Sequence, residues 1–179
     1  VQGATVESVD VAKDGVVSRG VLLDAARHRG VSWMEPGDAI MPDELEAIGA
    51  SQGTKMQQGD ILLVRTNPYK HRIEVGPRPL ANGWPGLHAS CKPWLQEQQV
   101  PVLGGDTADD VAHSGFPNLL LPIHQIALPH MGLWLMDNCN LEELSAACAE
   151  RERWEFLLTI APLRIRYGTG SPVNPIAMF

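Results

Sequence analysis

Two side chains able to do chemistry bracket one apolar stretch, "LPIHQIALPHMGLWLMDNCNLEEL", residues 121–144. His124 opens it, Asp137 closes its apolar part, and between them only Gln125 and His130 are plainly polar. An imidazole and a carboxylate at the ends of a buried segment suit a divalent metal or a proton-transfer pair. The structural alternative is a capped helix with a satisfied core histidine. Their separation is too long for a local metal motif such as H-E-x-x-H, so spacing alone does not choose between the two. His130 follows Pro129 and reads as a helix-end residue meeting the C-terminal dipole.

A second candidate is "LGGDTADDVAHSG", residues 103–115. Gly104 and Gly105 let the backbone approach a ligand, and Asp106 and Thr107 could cap a helix or touch substrate. Asp109 and Asp110 read as solvated acids of the following turn, and His113 as exposed. Upstream, Trp84 closes a Pro- and Gly-rich stretch that would shape a pocket, and His88 in "GLHAS" stands near enough in sequence to join a site. These four residues, Trp84, His88, Asp106 and Thr107, are the expected substrate contacts. A phosphate-binding P-loop is excluded because no Gly-Lys-Ser/Thr follows a glycine run, and "GTGSPVN" fails as a G-x-S-x-G nucleophile elbow. Cys91, Cys139 and Cys148 lie in or beside apolar helical segments and read as core.

The elements that must position these residues alternate irregularly. Val16–Leu23 reads as a strand running into a loop at Asp24. "MPDELEAIGASQG" has Pro42 at a first turn, acids behind it and glycines at its end, the polarity of a helix whose Leu45 and Ile48 face the core. Ile61–Val64 suits a buried strand, residues 68–85 a long exposed loop, and "SCKPWLQEQQ" a short helix with Trp94 and Leu95 inward. "VPVLGGD" is a short strand, residues 122–130 a helix, "GLWLMD" a strand, and "LEELSAACAERER" a helix that Asn140 can cap. "WEFLLTIAPLRI" is the last strong strand, followed by an irregular tail. The pattern predicts an α/β fold: a mixed sheet with flanking helices.

The 179 residues carry 44% hydrophobic and 20% charged side chains, a globular composition large enough for a substantial core. A formal charge of −7 argues against nucleic acid or an anionic membrane as partner, and no run reaches the roughly 18 apolar residues of a membrane span. Three cysteines without a C-x-x-C fit a reducing cytoplasm. The first residues do not read as a signal peptide, and the chain is expected to be a single domain, residues 1–179, that is N-terminally incomplete.

Taken in order, "RGVLLD", "GDILLVRT", "PGLHASCKPWLQE", "LGGDTADD", "PIHQIAL" through "LMDNCNLEELSAAC", and "WEFLLTIAPLRI…GTGSPVNPIAMF" resemble the cyclase family, which includes bacterial kynurenine formamidase and isatin hydrolase. The resemblance is collinear over nearly the whole chain. It implies a swivelling β/β/α-type fold and a metal-dependent hydrolase of the C–N bond of a formamide or cyclic amide. An arylformamidase-like role in tryptophan catabolism, Zn²⁺ or Mn²⁺ as cofactor, a small-molecule substrate and a homodimer or homotetramer follow from it too. His124 falls on the family's downstream His, as metal ligand and catalytic imidazole, and Asp137 falls where the family has a Glu ligand. The family signature H-x-G-T-H-x-D is absent, since the first histidine is His28. On that count this chain is expected to be a partial form, holding metal weakly or not at all. The competing expectation is a non-catalytic binding or structural relative that has lost the metal.

Overall fold

The structure, a computed structural model, describes residues 3–6 and 8–179. Its centre is a six-stranded mixed sheet built from β1 (Val16–Asp24), β3 (Ile61–Arg65), β5 (Val102–Gly105), β6 (Trp134–Met136), β7 (Glu155–Ile160) and β8 (Ile176–Met178). The strand order is β6-β5-β3-β1-β7-β8. The first four of these run parallel, with Gly20 opposite Ile61, Leu62 opposite Leu103, and Val102 opposite Trp134. β7 and β8 each pair antiparallel with the strand before them in that order. A separate parallel pair joins β2 (Ala39–Ile40) to β4 (Gly86–Leu87).

β3 and the second half of β1 are buried on both faces, which is why they read as unbroken aliphatic runs. Val21, Leu23, Leu62, Val64 and Leu103 pack on one face with Ala25 and Ala26 of α1 (Ala25–His28), Leu45 and Ile48 of α2 (Pro42–Ser51), and Trp94 and Leu95 of α4 (Cys91–Glu97). Leu22, Ile61, Leu63 and Met136 point to the other face, against Cys148 of α6 (Glu142–Arg151), Trp154 and Phe156. The alternation follows the two-residue period of a strand. At the start of α2, Pro42 has no N–H to leave unpaired, and Asp43 and Glu44 face the positive end of the helix dipole. The α/β class with a mixed sheet and flanking helices is as the sequence predicts.

Three details differ from that reading. Residues 68–85 are not one loop: α3 (Pro68–Glu74) occupies their first third, started by Pro68 at its first turn and carrying Lys70 and Glu74 one turn apart. The tail is not wholly irregular, because Ile176–Met178 forms β8 by pairing with Leu157–Thr159. The segment after β5 changes most. Asp109 and Asp110 are not solvated acids but are 3% and 0% exposed. Helix α5 (Pro122–Ile126) continues as a π turn through Ala127–Met131, and His130 there is exposed. Among the described residues no helix is long and apolar enough to cross a membrane.

Candidate functional site

Because β1, β3, β5 and β6 run parallel, their carboxyl ends share one edge of the sheet, where open α/β sheets place their ligands. Asp24 ends β1, and Thr66, Asp106 and Asp137 directly follow β3, β5 and β6. Asp24 receives Arg65 Nη1 at 2.9 and 3.0 Å and the Ser145 hydroxyl at 2.5 Å, while Arg65 reaches Glu142 at 2.9 and 3.1 Å. That network ties β1 and β3 to α6.

Asp106 accepts from the Thr66 N–H, the Thr66 hydroxyl (2.7 Å) and the Asn67 N–H (2.7 Å). Burial pushes its carboxyl up to about 6, against the pull of those donors. Thr107 donates its hydroxyl to Pro85 O. Both side chains therefore brace neighbouring backbone. Trp84 does likewise: its indole N–H donates to Asp110 O at 2.8 Å, and Trp84 O accepts from the Ala112 N–H. Leu87 exchanges backbone bonds with Asp109 and Val111, so residues 84–87 clamp residues 109–112. Two glycines allow this close approach. A Cβ on Gly86 would stand 2.5 Å from Asp110 O and 2.6 Å from Asp109 O, and a Cβ on Gly105 would collide with Asp109 Oδ1. His88 lies apart, its Nδ1 beside the Ser90 hydroxyl and its ring tilted over Phe116.

The clamp presents Asp110 to the start of α5. Its carboxylate accepts from the Ile123 N–H (2.6 Å) and the His124 N–H (3.1 Å), two of the amides a helix start leaves unpaired. The same carboxylate takes His124 Nδ1 at 2.8 Å, and His124 Nε2 faces Asp137 Oδ2 at 3.1 Å. The sequence-predicted pair of His124 and Asp137 is thus in direct contact, with Asp110 as a third member that the sequence reading set aside. Hydrogen bonds from Asp110 and then Asp137 raise the imidazole to about 9 despite its partial burial, so at neutral pH the ring is an imidazolium donating at both nitrogens. Asp109 is buried, lies against Asp137, and receives no hydrogen bond from a donor among the described residues. Burial, then Asp137, holds it well above the usual carboxylate range. A lone sequence signals these acids only weakly, through the room left by Gly104-Gly105 and the apolar Val111-Ala112 that follow them inward.

As a metal centre this group is incomplete. Asp109, an acceptor without a donor, suits a cation, but among the described residues no three His, Cys, Asp or Glu side chains converge on one metal position. His124 and Asp137 supply two donors, fewer than the three protein ligands of an ordinary catalytic site. The arrangement as it stands can hold and move a proton.

The sequence matches the family model described as "Cyclase: Putative cyclase" over residues 2–109, and the chain belongs to that family. No curated protein matches it. Among solved structures it is similar to a crystal structure described as a novel cyclase, at 32% identity, with a TM-score of 0.82, covering 96% of this chain and 56% of that one. It shares its fold with isatin hydrolase A from Labrenzia aggregata, bound to benzyl benzoate (22% identity, TM-score 0.71, 95% of this chain and 64% of that one). It also shares the fold of a protein described as a potential metal-dependent hydrolase with cyclase activity (17% identity, TM-score 0.61, 90% of this chain and 64% of that one). The chain spans less than two thirds of the length of these structures.

Proposed function

We propose that these residues form part of a cyclase-family hydrolase that cleaves the C–N bond of a formamide or small cyclic amide, with His124 at the reacting centre. The observation that carries this reading is the placement of His124 between Asp110 and Asp137 at the carboxyl edge of the parallel strands. Asp110, wholly buried, fixes the ring through Nδ1, which leaves Nε2 as the nitrogen facing outward toward half-exposed Asp137. An imidazolium so held hands its Nε2 proton to a departing nitrogen, and Asp137 stabilises the charge. The relatives described as isatin hydrolase and as a potential metal-dependent hydrolase support the reaction class and a metal ion, for which imidazole and carboxylate donors suit Zn²⁺ or Mn²⁺. For His124 to ligate such an ion it must first give up that proton. Trp84, Asp106 and Thr107 then shape the site through the backbone they hold more than through free polar atoms, and His88 stands apart from them.

The test is turnover of an aryl formamide and of isatin by the protein, with Zn²⁺ or Mn²⁺ added, beside its His124→Ala variant. A loss of at least about a hundredfold in kcat/KM is expected; unchanged turnover would move the chemistry elsewhere. The absence of three converging ligands among the described residues favours a second reading, a binding relative without hydrolysis. That reading predicts substrate binding with no turnover in either protein. Three free cysteines favour a reducing compartment such as the cytoplasm. Exposed Leu157, Ile176 and Met178 on β7 and β8 favour self-association, which sizing chromatography across concentrations would detect.

A further inference from the structure

Of the six asparagines in the chain, only Asn82 is followed by glycine. Asn67 and Asn174 precede proline, which has no backbone N–H. Asn118, Asn138 and Asn140 precede leucine or cysteine, whose Cβ crowds the backbone nitrogen beside it. At Gly83 that nitrogen carries no such crowding. Asn82 is also exposed, so water reaches its side-chain amide.

The fold holds this pair loosely on one side and firmly on the other. Leu80–Asn82 is a single 3₁₀ turn with no buried residue, and Leu80 is 84% exposed. Two backbone bonds close the turn, from the Asn82 N–H to Pro79 O and from the Gly83 N–H to Leu80 O, each 3.0 Å. While the second is made, the Gly83 nitrogen is engaged; when the turn frays, the nitrogen is free, and a turn with nothing buried frays readily. Gly83 itself is buried at φ 77°, and a Cβ there would stand 2.5 Å from Ala112 O. The pair thus joins a weak turn to the strap of residues 84–87 that clamps Asp110.

We propose that Asn82-Gly83 is a site of spontaneous backbone modification, independent of the His124 centre. The Gly83 nitrogen gives its proton to hydroxide and attacks Asn82 Cγ. The new N–C bond closes a succinimide ring, and the side-chain nitrogen leaves as ammonia. Water then opens the ring at either carbonyl, giving aspartate or isoaspartate. The isoaspartyl product carries a new carboxylate and one extra backbone carbon just ahead of the strap. Gly83 cannot shift toward Ala112, so that carbon is taken up in the turn, whose bond to Leu80 O does not re-form. Asp14-Gly15 is an internal comparison: its glycine N–H also closes a turn, on Ala12 O at 2.8 Å, but a carboxylate is a poorer electrophile than an amide. Incubation in mildly alkaline buffer, followed by peptide mass mapping and methyl labelling with an isoaspartyl methyltransferase, tests the proposal. Conversion at Asn82 is expected at least about tenfold ahead of the other asparagines and of isoaspartate at Asp14, because the attacking nitrogen is unobstructed and the leaving group is ammonia. In urea the reaction should run about tenfold faster, the worth of the one turn bond that engages Gly83. Asn82→Gln, at an exposed position, should fold alike and gain no isoaspartate there, since its longer side chain closes a larger ring slowly. Conversion at Asn82 no faster than at the other asparagines, or none in the folded chain while the urea-unfolded chain converts, would each overturn the proposal.

Discussion

Asp110 holds His124 at two points with one oxygen, accepting its backbone N–H at 3.1 Å and its ring Nδ1 at 2.8 Å. The helix start and the imidazole are therefore oriented by the same buried charge. Neither can turn without the other.

In the metal-free chain, the His124 ring is expected to titrate near 9 by NMR of its ring protons, set chiefly by Asp110. Its folded value lies above the ordinary value of about 6.5, so its contribution to stability, up to about 3 kcal/mol, is complete below pH 6.5. That contribution is lost as pH rises through about 9. Asp110→Asn should bring the ring back toward its ordinary value and lower stability in urea by roughly 2–4 kcal/mol. A ring still titrating near 9 in that variant would show that Asp110 is not its anchor.

Asp109 has a desolvated carboxyl that lies against Asp137 and receives no hydrogen bond from a donor among the described residues. Its backbone lies at φ 56°, which asparagine tolerates well. Asp109→Asn should therefore stabilise the metal-free chain by about 1–2 kcal/mol, read from urea midpoints. A destabilised variant would mean that the carboxylate has a partner in solution.

Metal analysis after dialysis should find far less than one divalent ion per chain, and EDTA should leave the melting temperature unchanged. Two donors, one of them protonated at neutral pH, compete poorly for a cation. One tightly held ion, lost on His124→Ala, would make the chain a self-sufficient metalloprotein.

Gly86→Ala drives a methyl group against the carbonyls of Asp109 and Asp110. It should cost about 1–3 kcal/mol and, by displacing Asp110, lower the titration point of His124. A stability loss with an unchanged His124 titration would show that the clamp and the imidazole are independent.

What could be read in the sequence was what rests on local pattern. Ile61–Val64 and the Val21–Leu23 end of the first strand read as strand because burial on both faces needs continuous aliphatic runs, and Pro42 with its acids reads as a helix start. His124 and Asp137 stood out as polar ends of an apolar run. Asp109 and Asp110 did not, since adjacent acids are solvated unless a partner from elsewhere in the chain receives them. That partner, the start of α5, is supplied by tertiary structure alone. Helix α3 was hidden for a local reason: the glycines and prolines after residue 75 masked a seven-residue helix before them.

The two carboxylates on His124 differ in how long they stay in place. Asp110 is set in a loop pinned to residues 84–87, whereas Asp137 follows a three-residue strand at the rim of the sheet, paired only with β5. Short rim strands open at a small fraction of the free energy of global unfolding. Hydrogen exchange at Trp134–Met136 will therefore run ahead of exchange in β1 and β3. Each such opening carries Asp137 away and uncovers Nε2 while Nδ1 remains held, so the outward nitrogen of the imidazole meets solvent on the timescale of a fraying edge.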